Sequence, residues 1–246
     1  MALESLPPGY RAAVFGARGA IGAAFVSALC ADPRCSAVHA GARGEVPIRS
    51  PKMRAFRFEL ENEASIATAS EACLTGGPLH LVLVATGMLH DEFVTPEKTW
   101  RALSRDTLQK SFAVNAIGPA LIGKHTLGHL AKGVKSAFVA LSARIGSISD
   151  NRLGGWHAYR ASKAALNMLI RNFAVELAVG NRSAICVGLH PGTVDSALSR
   201  PFLAGVQPER VFTPELSAAR LLRVLDGLTP SQTGRLFAWD GAEIPF

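Results

Sequence analysis

Residues 158–166 read AYRASKAAL, and within them Tyr159 precedes Lys163 by four positions. On a helix that spacing puts both side chains on one face. A phenol ionises near pH 10, so making tyrosinate at pH 7 costs about 4 kcal/mol, and a neighbouring ammonium lowers that cost by favouring the charged form. The pair is therefore equipped for proton transfer. The same spacing also describes two residues packed on an ordinary exposed helix, so the chemistry depends on what surrounds them. The only other tyrosine is Tyr10.

A second constellation is VFGARGAIG at 14–22, with Gly16, Gly19 and Gly22 three apart where an apolar run gives way to a helical pattern. A dinucleotide needs glycine at such a turn, for the tight bend, for backbone approach to the pyrophosphate and for helix–strand packing. The helix N-terminus adds free N–H groups and partial positive charge. Arg18 lies inside the turn, and Arg43 stands 21 residues after Gly22, where a site for the non-phosphorylated cofactor would carry an acid. A guanidinium there can grip a 2′-phosphate bidentately, which favours NADP(H) over NAD(H).

The elements that position these groups follow from periodicity. RAAVF, SAVHA (36–40), MRAFRF (53–58), HLVLVATG (80–87), SAFVALS (136–142), SAICVGLH (183–190) and GRLFAW read as strands. AIGAAFVSALCA, EASIATASEACL, 98–131 with a possible break at SRD, 156–179 and TPELSAARLLRVLDGL read as helices. Regular alternation argues for a parallel sheet covered on both faces, with right-handed crossovers giving a doubly wound α/β order. The irregular segments 87–97, 143–155 and 191–213 all follow strand C-termini, where such sheets bind ligands. No repeat or linker divides the 246 residues, so residues 1–246 are read as one domain.

Composition narrows the function. With 48% hydrophobic and 18% charged residues the chain is core-rich. Its net charge of +7 is dispersed, without the clustered patch that a nucleic-acid partner requires. Four scattered cysteines form neither a zinc pattern nor a CxxC, so no metal is expected and a reducing, cytoplasmic setting is. No apolar run reaches the length of a membrane span, and MALESLPPGY lacks the shape of a secretory leader.

The glycine turn, FAVNAIGP (112–119), LSARIGS (141–147), GGWHAYRASKAALNML, HPGTVD and GRLFAWDGAEIPF together strongly resemble the short-chain dehydrogenase/reductase family, in its C-factor and sniffer-like carbonyl reductase branch. The resemblance covers nearly the whole chain. It implies a single Rossmann-like domain of about seven strands in the order 3-2-1-4-5-6-7, and an enzyme that moves hydride between NADP(H) and a carbonyl or alcohol. Tyr159 would be the general acid in reduction and the base in oxidation. Lys163 would hold the nicotinamide ribose, and Asn115 would keep the lysine in place through a water. The cofactor-binding set it implies is Gly16, Arg18, Gly19, Ala20, Ile21, Gly22, Arg43, Glu59, Leu60, Gly87, Tyr159, Lys163, Pro191, Gly192, Thr193 and Val194. The backbone at Thr193 and Val194 would fix the nicotinamide, and Glu59 and Leu60 would lie by the adenine. A homodimer or homotetramer built through the long helices is implied as well.

Two departures stand out. The family serine that hydrogen-bonds the substrate oxygen falls at Ala143. Ser142 is the candidate replacement, although adjacent strand residues face opposite ways; Ser147 and Ser149 are alternatives. Losing such a donor costs roughly 10²–10³ in rate. That opens a second reading, a regulator that binds the dinucleotide with little or no turnover. The other departure is VATG (84–87) in place of NNAG, which leaves Thr86 and packing to stabilise the central strands. Met88, Leu89, Leu153, Trp156 and a possible lid over 196–212, with Phe202, Leu203, Val206 and Phe212, imply a small, fairly apolar substrate.

Overall fold

The apolar runs form the strands of one sheet in the computed structural model, which describes residues 2–246. In chain order the strands are β1 (Tyr10–Phe15), β2 (Cys35–Ala42), β3 (Met53–Arg57), β4 (Leu81–Val84), β5 (Ser136–Leu141), β6 (Ala184–His190), β7 (Thr193–Val194), β8 (Val211–Phe212), β9 (Leu236–Ala238) and β10 (Glu243–Ile244). The helices are α1 (Ala20–Ala31), α2 (Glu63–Leu74), α3 (Arg105–Phe112), α4 (Gly118–Thr126), α5 (His157–Gly180) and α6 (Pro214–Gly227).

The sheet runs β3-β2-β1-β4-β5-β6-β9-β10, with the first seven strands parallel and β10 antiparallel to β9. The expected order therefore holds through its seventh place, which β9 fills, and one short antiparallel strand extends the edge. β7 and β8 pair separately as a two-stranded parallel ladder.

Alternation along each strand feeds two apolar layers. Val14, Leu83, Val139 and Val187 pack with α1 and α6, while Phe15, Val82, Phe138 and Cys186 pack with α2, α4 and α5. Every residue of β4 is buried, as a central strand covered on both faces requires.

The segment 98–131 is broken at SRD, where the sequence suggested it. Ser104 caps α3 by accepting from the Thr107 N–H at 3.1 Å. Between α3 and α4 the chain widens into a π-helical turn, Ala113–Ile117. Pro119 has no N–H to offer the carbonyl four residues back, that of Asn115, which explains a departure from α geometry at this point. The long α5 starts after Trp156, whose φ of 49° is left-handed.

Tyr10 is structural. Its hydroxyl donates to Asp32 Oδ2 at 2.8 Å, and both residues are buried. Burial opposes ionisation of Asp32, but the N–H groups of Leu3 and Arg34 and the Tyr10 hydroxyl outweigh it and hold the carboxyl below its usual range. Tyr10→Phe removes one charge-assisted bond worth about 2 kcal/mol and is expected to lower the thermal midpoint by roughly 4–8 °C. An unchanged midpoint in a calorimetric scan would contradict this.

Candidate active site

The C-terminal ends of β1, β4, β5 and β6 surround a crevice of about 880 Å³, lined by Gly19, Ala20, Ile21, Gly87, Tyr159, Lys163 and the Pro191–Val194 segment among others. The glycine turn forms one wall, and each glycine answers a steric demand. Gly16 has φ of +94°, and a Cβ there would lie 2.9 Å from the Ala85 carbonyl carbon. A Cβ on Gly22 would lie only 2.1 Å from Gly16 O. No side chain caps α1, and its first turn holds no acid, so its leading N–H groups and dipole face the crevice uncompensated.

Tyr159, Lys163 and Asn167 are spaced along one face of α5. Lys163 is 3% exposed, and its Nζ donates to Leu141 O, at the end of β5, at 2.9 Å. The amine lies 5.9 Å from the Tyr159 ring centroid. A Cβ on Gly87 would come within 3.7 Å of Lys163 Nζ and 3.6 Å of Asn115 Oδ1, so three expected residues converge on one point. Gly146 admits α5 here, since a Cβ on it would lie 2.7 Å from Lys163 Cβ.

The electrostatics differ from expectation. Burial pushes the Tyr159 hydroxyl up to about 12 and Lys163 down to about 8. Desolvation is the cause in both cases, and the phenol keeps its proton at neutral pH.

Asn115 is fully buried in the π-helical turn. Its Oδ1 accepts from Met88 N at 2.9 Å, and its Nδ2 donates to Met88 O at 2.8 Å and to Ser162 Oγ at 3.1 Å. The amide thus locks the chain after Gly87 rather than touching Lys163 directly. Ser142 and Ala143 both line the crevice, and the Ser142 hydroxyl donates to Asn167 Oδ1 at 2.6 Å, on the α5 side of the sheet. Ser147 Oγ accepts from Asp150 N at 3.1 Å, and Ser149 Oγ donates to Phe246 O at 2.7 Å.

Other expected positions lie outside the crevice lining. Arg18 and Arg43 are exposed beside the glycine turn, and a Cβ on Gly44 would lie 2.7 Å from Arg18 Nη1. Glu59 and Leu60 follow β3: the Glu59 N–H donates to Ser65 Oγ at 2.9 Å, and Leu60 packs on Gly118. Pro191, Gly192, Thr193 and Val194 do line the crevice, with Val194 in β7 bound to β8. The Thr86 hydroxyl, expected to compensate for the missing asparagines, is buried without a partner among the described residues.

The lid expectation holds in part. His90 Nε2 lies 3.2 Å from both Ala197 O and Leu198 O, and Phe202 packs against Trp156 and His90 with ring centroids 5.0 and 5.4 Å away. Phe212 instead packs on Trp239, behind Gly192. His90, Asn167 and His190 were not foreseen. Asn167, one turn beyond Lys163, was open to discovery from helical spacing; the two histidines carry no local signal beyond their places, His190 at the end of β6 and His90 in the loop after β4.

A model of the short chain dehydrogenase family matches residues 11–206. The chain is 34% identical over 139 residues to C-signal from Myxococcus xanthus, covering 56% of this chain and 78% of that protein. It is 35% identical over 140 residues to 1-hydroxy-2-glutathionyl-2-methyl-3-butene dehydrogenase from a Rhodococcus strain, covering 57% of this chain and 59% of the other. The alignment thus spans less than two thirds of the latter's length. An NADPH-bound carbonyl reductase from chicken fatty liver has the same fold, with a TM-score of 0.83, 24% identity, and coverage of 99% of this chain and 97% of that one.

Gly22→Ala is expected to cost about 1–3 kcal/mol in urea unfolding, because Gly16 O blocks the added methyl. Gly128→Ala, where a Cβ meets nothing within 4 Å, is the control. Equal stability of the two variants would show that the turn tolerates a side chain.

Proposed function

The chain belongs to the short chain dehydrogenase family, and from that premise we propose that it is an NADP(H)-dependent oxidoreductase interconverting a small, fairly apolar ketone or aldehyde with its alcohol. The observation that carries this reading is the arrangement of Tyr159 and Lys163 in the crevice whose opposite wall is the uncapped glycine turn. Two facts support a dinucleotide there: Gly16 and Gly22 leave no room for side chains, and the start of α1 presents unpaired donors to an anion. Arg18 and Arg43, exposed beside that turn, favour the phosphorylated form. The chicken relative's bound NADPH agrees with this choice.

When bound, the dinucleotide supplies or accepts the hydride. The protein's own contribution is to place the carbonyl and manage one proton. Tyr159 holds its proton at neutral pH and gives it to the carbonyl oxygen as the alcohol forms. Lys163, fixed by Leu141 O, is still mostly protonated near pH 7 although burial lowers its pKa to about 8, and while protonated it offsets part of the cost of transient tyrosinate. Asn115 holds Gly87 and Met88 as the floor of the crevice. Trp156, Phe202, Leu203 and Val206 present apolar surface to the substrate, and His90 fastens the lid across it.

Ala143 and the engagement of Ser142 with Asn167 support a second reading, a dinucleotide-binding regulator without turnover. The readings separate in one assay, absorbance of NADPH against a broad panel of ketones and aldehydes with NADH alongside. The enzyme reading predicts NADPH consumption well above that of NADH, and a loss on the order of 10²–10⁴-fold in Tyr159→Phe. Tight NADPH binding with no consumption across the panel would overturn it in favour of the regulator.

A further inference from the structure

His190 ends β6 immediately before the Pro191–Gly192 turn and lines the same crevice as Tyr159 and Lys163. Leu141 is in register with Leu189, and the Ser142 N–H donates to Leu189 O at 2.9 Å, so His190 stands beside the step from Ser142 to Ala143 on the neighbouring strand. The alternation of β6 sets its direction. Ala184 and Cys186 pack in the layer that holds Leu166 and Ile170 of α5, and a Cβ on Gly188 would lie 3.4 Å from Ile170 Cδ1 and 3.5 Å from Ser142 Cβ. His190, two residues on, falls on that same face, the one α5 covers with Tyr159 and Lys163.

Its chemistry is uncommitted. Nδ1 is buried and has no hydrogen-bond partner among the described residues. Burial first, then Arg144, lowers the ring's pKa to about 4 against the opposing pull of Asp240, so near neutral pH the imidazole is uncharged with one N–H to donate. The other hydroxyls near Ala143 are committed elsewhere or lie outside the crevice. The Ser142 hydroxyl donates to Asn167 Oδ1 and that of Ser149 to Phe246 O, while Ser147, which accepts from Asp150 N, does not line the crevice. Arg144 pairs with Asp150 at 2.9 Å, and the Arg160 guanidinium donates to the carbonyls of Gly154, Gly155 and Ile145. Thr86, also without a partner, belongs to the opposite wall, its N–H lying 3.0 Å from where a Gly16 Cβ would be.

We propose that His190 is the second hydrogen-bond donor to the reacting oxygen, supplying from β6 the contact that the alanine at position 143 of the neighbouring strand cannot make. No bond is made or broken at the ring. Its proton stays on the imidazole, and Tyr159 alone transfers one. The assignment rests on the oxidoreductase reading above.

The test compares NADPH oxidation with one ketone for wild type, His190→Ala, His190→Gln, Ala143→Ser and the double variant Ala143→Ser/His190→Ala, with NADPH affinity measured by fluorescence. His190→Ala is expected to lose on the order of 10²-fold in kcat/KM with NADPH affinity unchanged. His190→Gln keeps most of the rate, because its amide N–H still donates. Ala143→Ser restores His190→Ala but leaves wild type nearly unaltered, a non-additivity that shared duty requires. On Tyr159→Phe protein, where turnover does not intervene, removing His190 weakens ketone binding by roughly 3- to 10-fold. A silent His190→Ala, or an equal gain from Ala143→Ser in both backgrounds, overturns the assignment while the enzyme reading stands. Should His190→Ala fail to fold, Ala143→Ser in wild type decides. A rise on the order of 10²-fold shows the donor position vacant and overturns the proposal, and a near-constant rate supports it. A wild type that consumes no NADPH with any carbonyl overturns the enzyme reading and, with it, this assignment.

Discussion

Lys163 is a cation placed where water scarcely reaches, tied to the end of β5 through Leu141 O. A buried charge must be paired, hydrogen-bonded or lose its proton, and this one sits between the last two conditions, with its pKa brought down to about 8. That constraint shapes the site around it. Gly146 must be glycine for α5 to come close enough, and the room above Gly87 is shared by the lysine amine and the Asn115 amide. The same burial keeps Tyr159 protonated. Acid and cation are thus tuned by a common desolvation, and a ligand entering the crevice meets a phenol that still holds its proton.

The rest of the sheet supplies rigidity to this point. The buried β4 and the close contact of Gly16 with Ala85 fix the glycine turn relative to Gly87, and Asn115 ties Met88 to the turn between α3 and α4. On the far side, the edge-to-face pair of Phe212 and Trp239 behind Gly192, with the Arg220 guanidinium 4.5 Å from both rings, backs the Pro191–Val194 segment. The mobile chemistry is therefore confined to substrate, proton and the strap that His90 holds by two carbonyls.

Much of this was legible in the sequence because its signals are local. Glycine spacing, continuous apolar runs and the Tyr159–Lys163 interval each report on a few consecutive residues; the doubly wound class followed from alternation and crossover handedness, and the strand order from the family resemblance. What escaped depended on contacts between distant segments. The commitment of Ser142 to Asn167 crosses from strand to helix, and the partnerless Thr86 hydroxyl depends on what the neighbouring strands place opposite it. Phe212 left the lid because it found Trp239, 27 positions away. The break in the helix after Phe112 was written in Pro119, whose effect falls four residues upstream at Asn115. The direction of the Tyr159 shift was misjudged from spacing alone, since spacing reports the neighbour's charge and not the depth of burial.

Because the chain has only two tyrosines and Tyr10 is held protonated by its own burial against Asp32, Tyr159 can be observed almost in isolation. The most direct measurement is ultraviolet titration of tyrosinate in wild type and Tyr159→Phe. If burial governs the phenol, no tyrosinate forms in either protein below about pH 10, the ordinary phenol value. A wild-type tyrosinate signal emerging near neutral pH, and absent from Tyr159→Phe, would show that Lys163 overrides desolvation and would contradict the account.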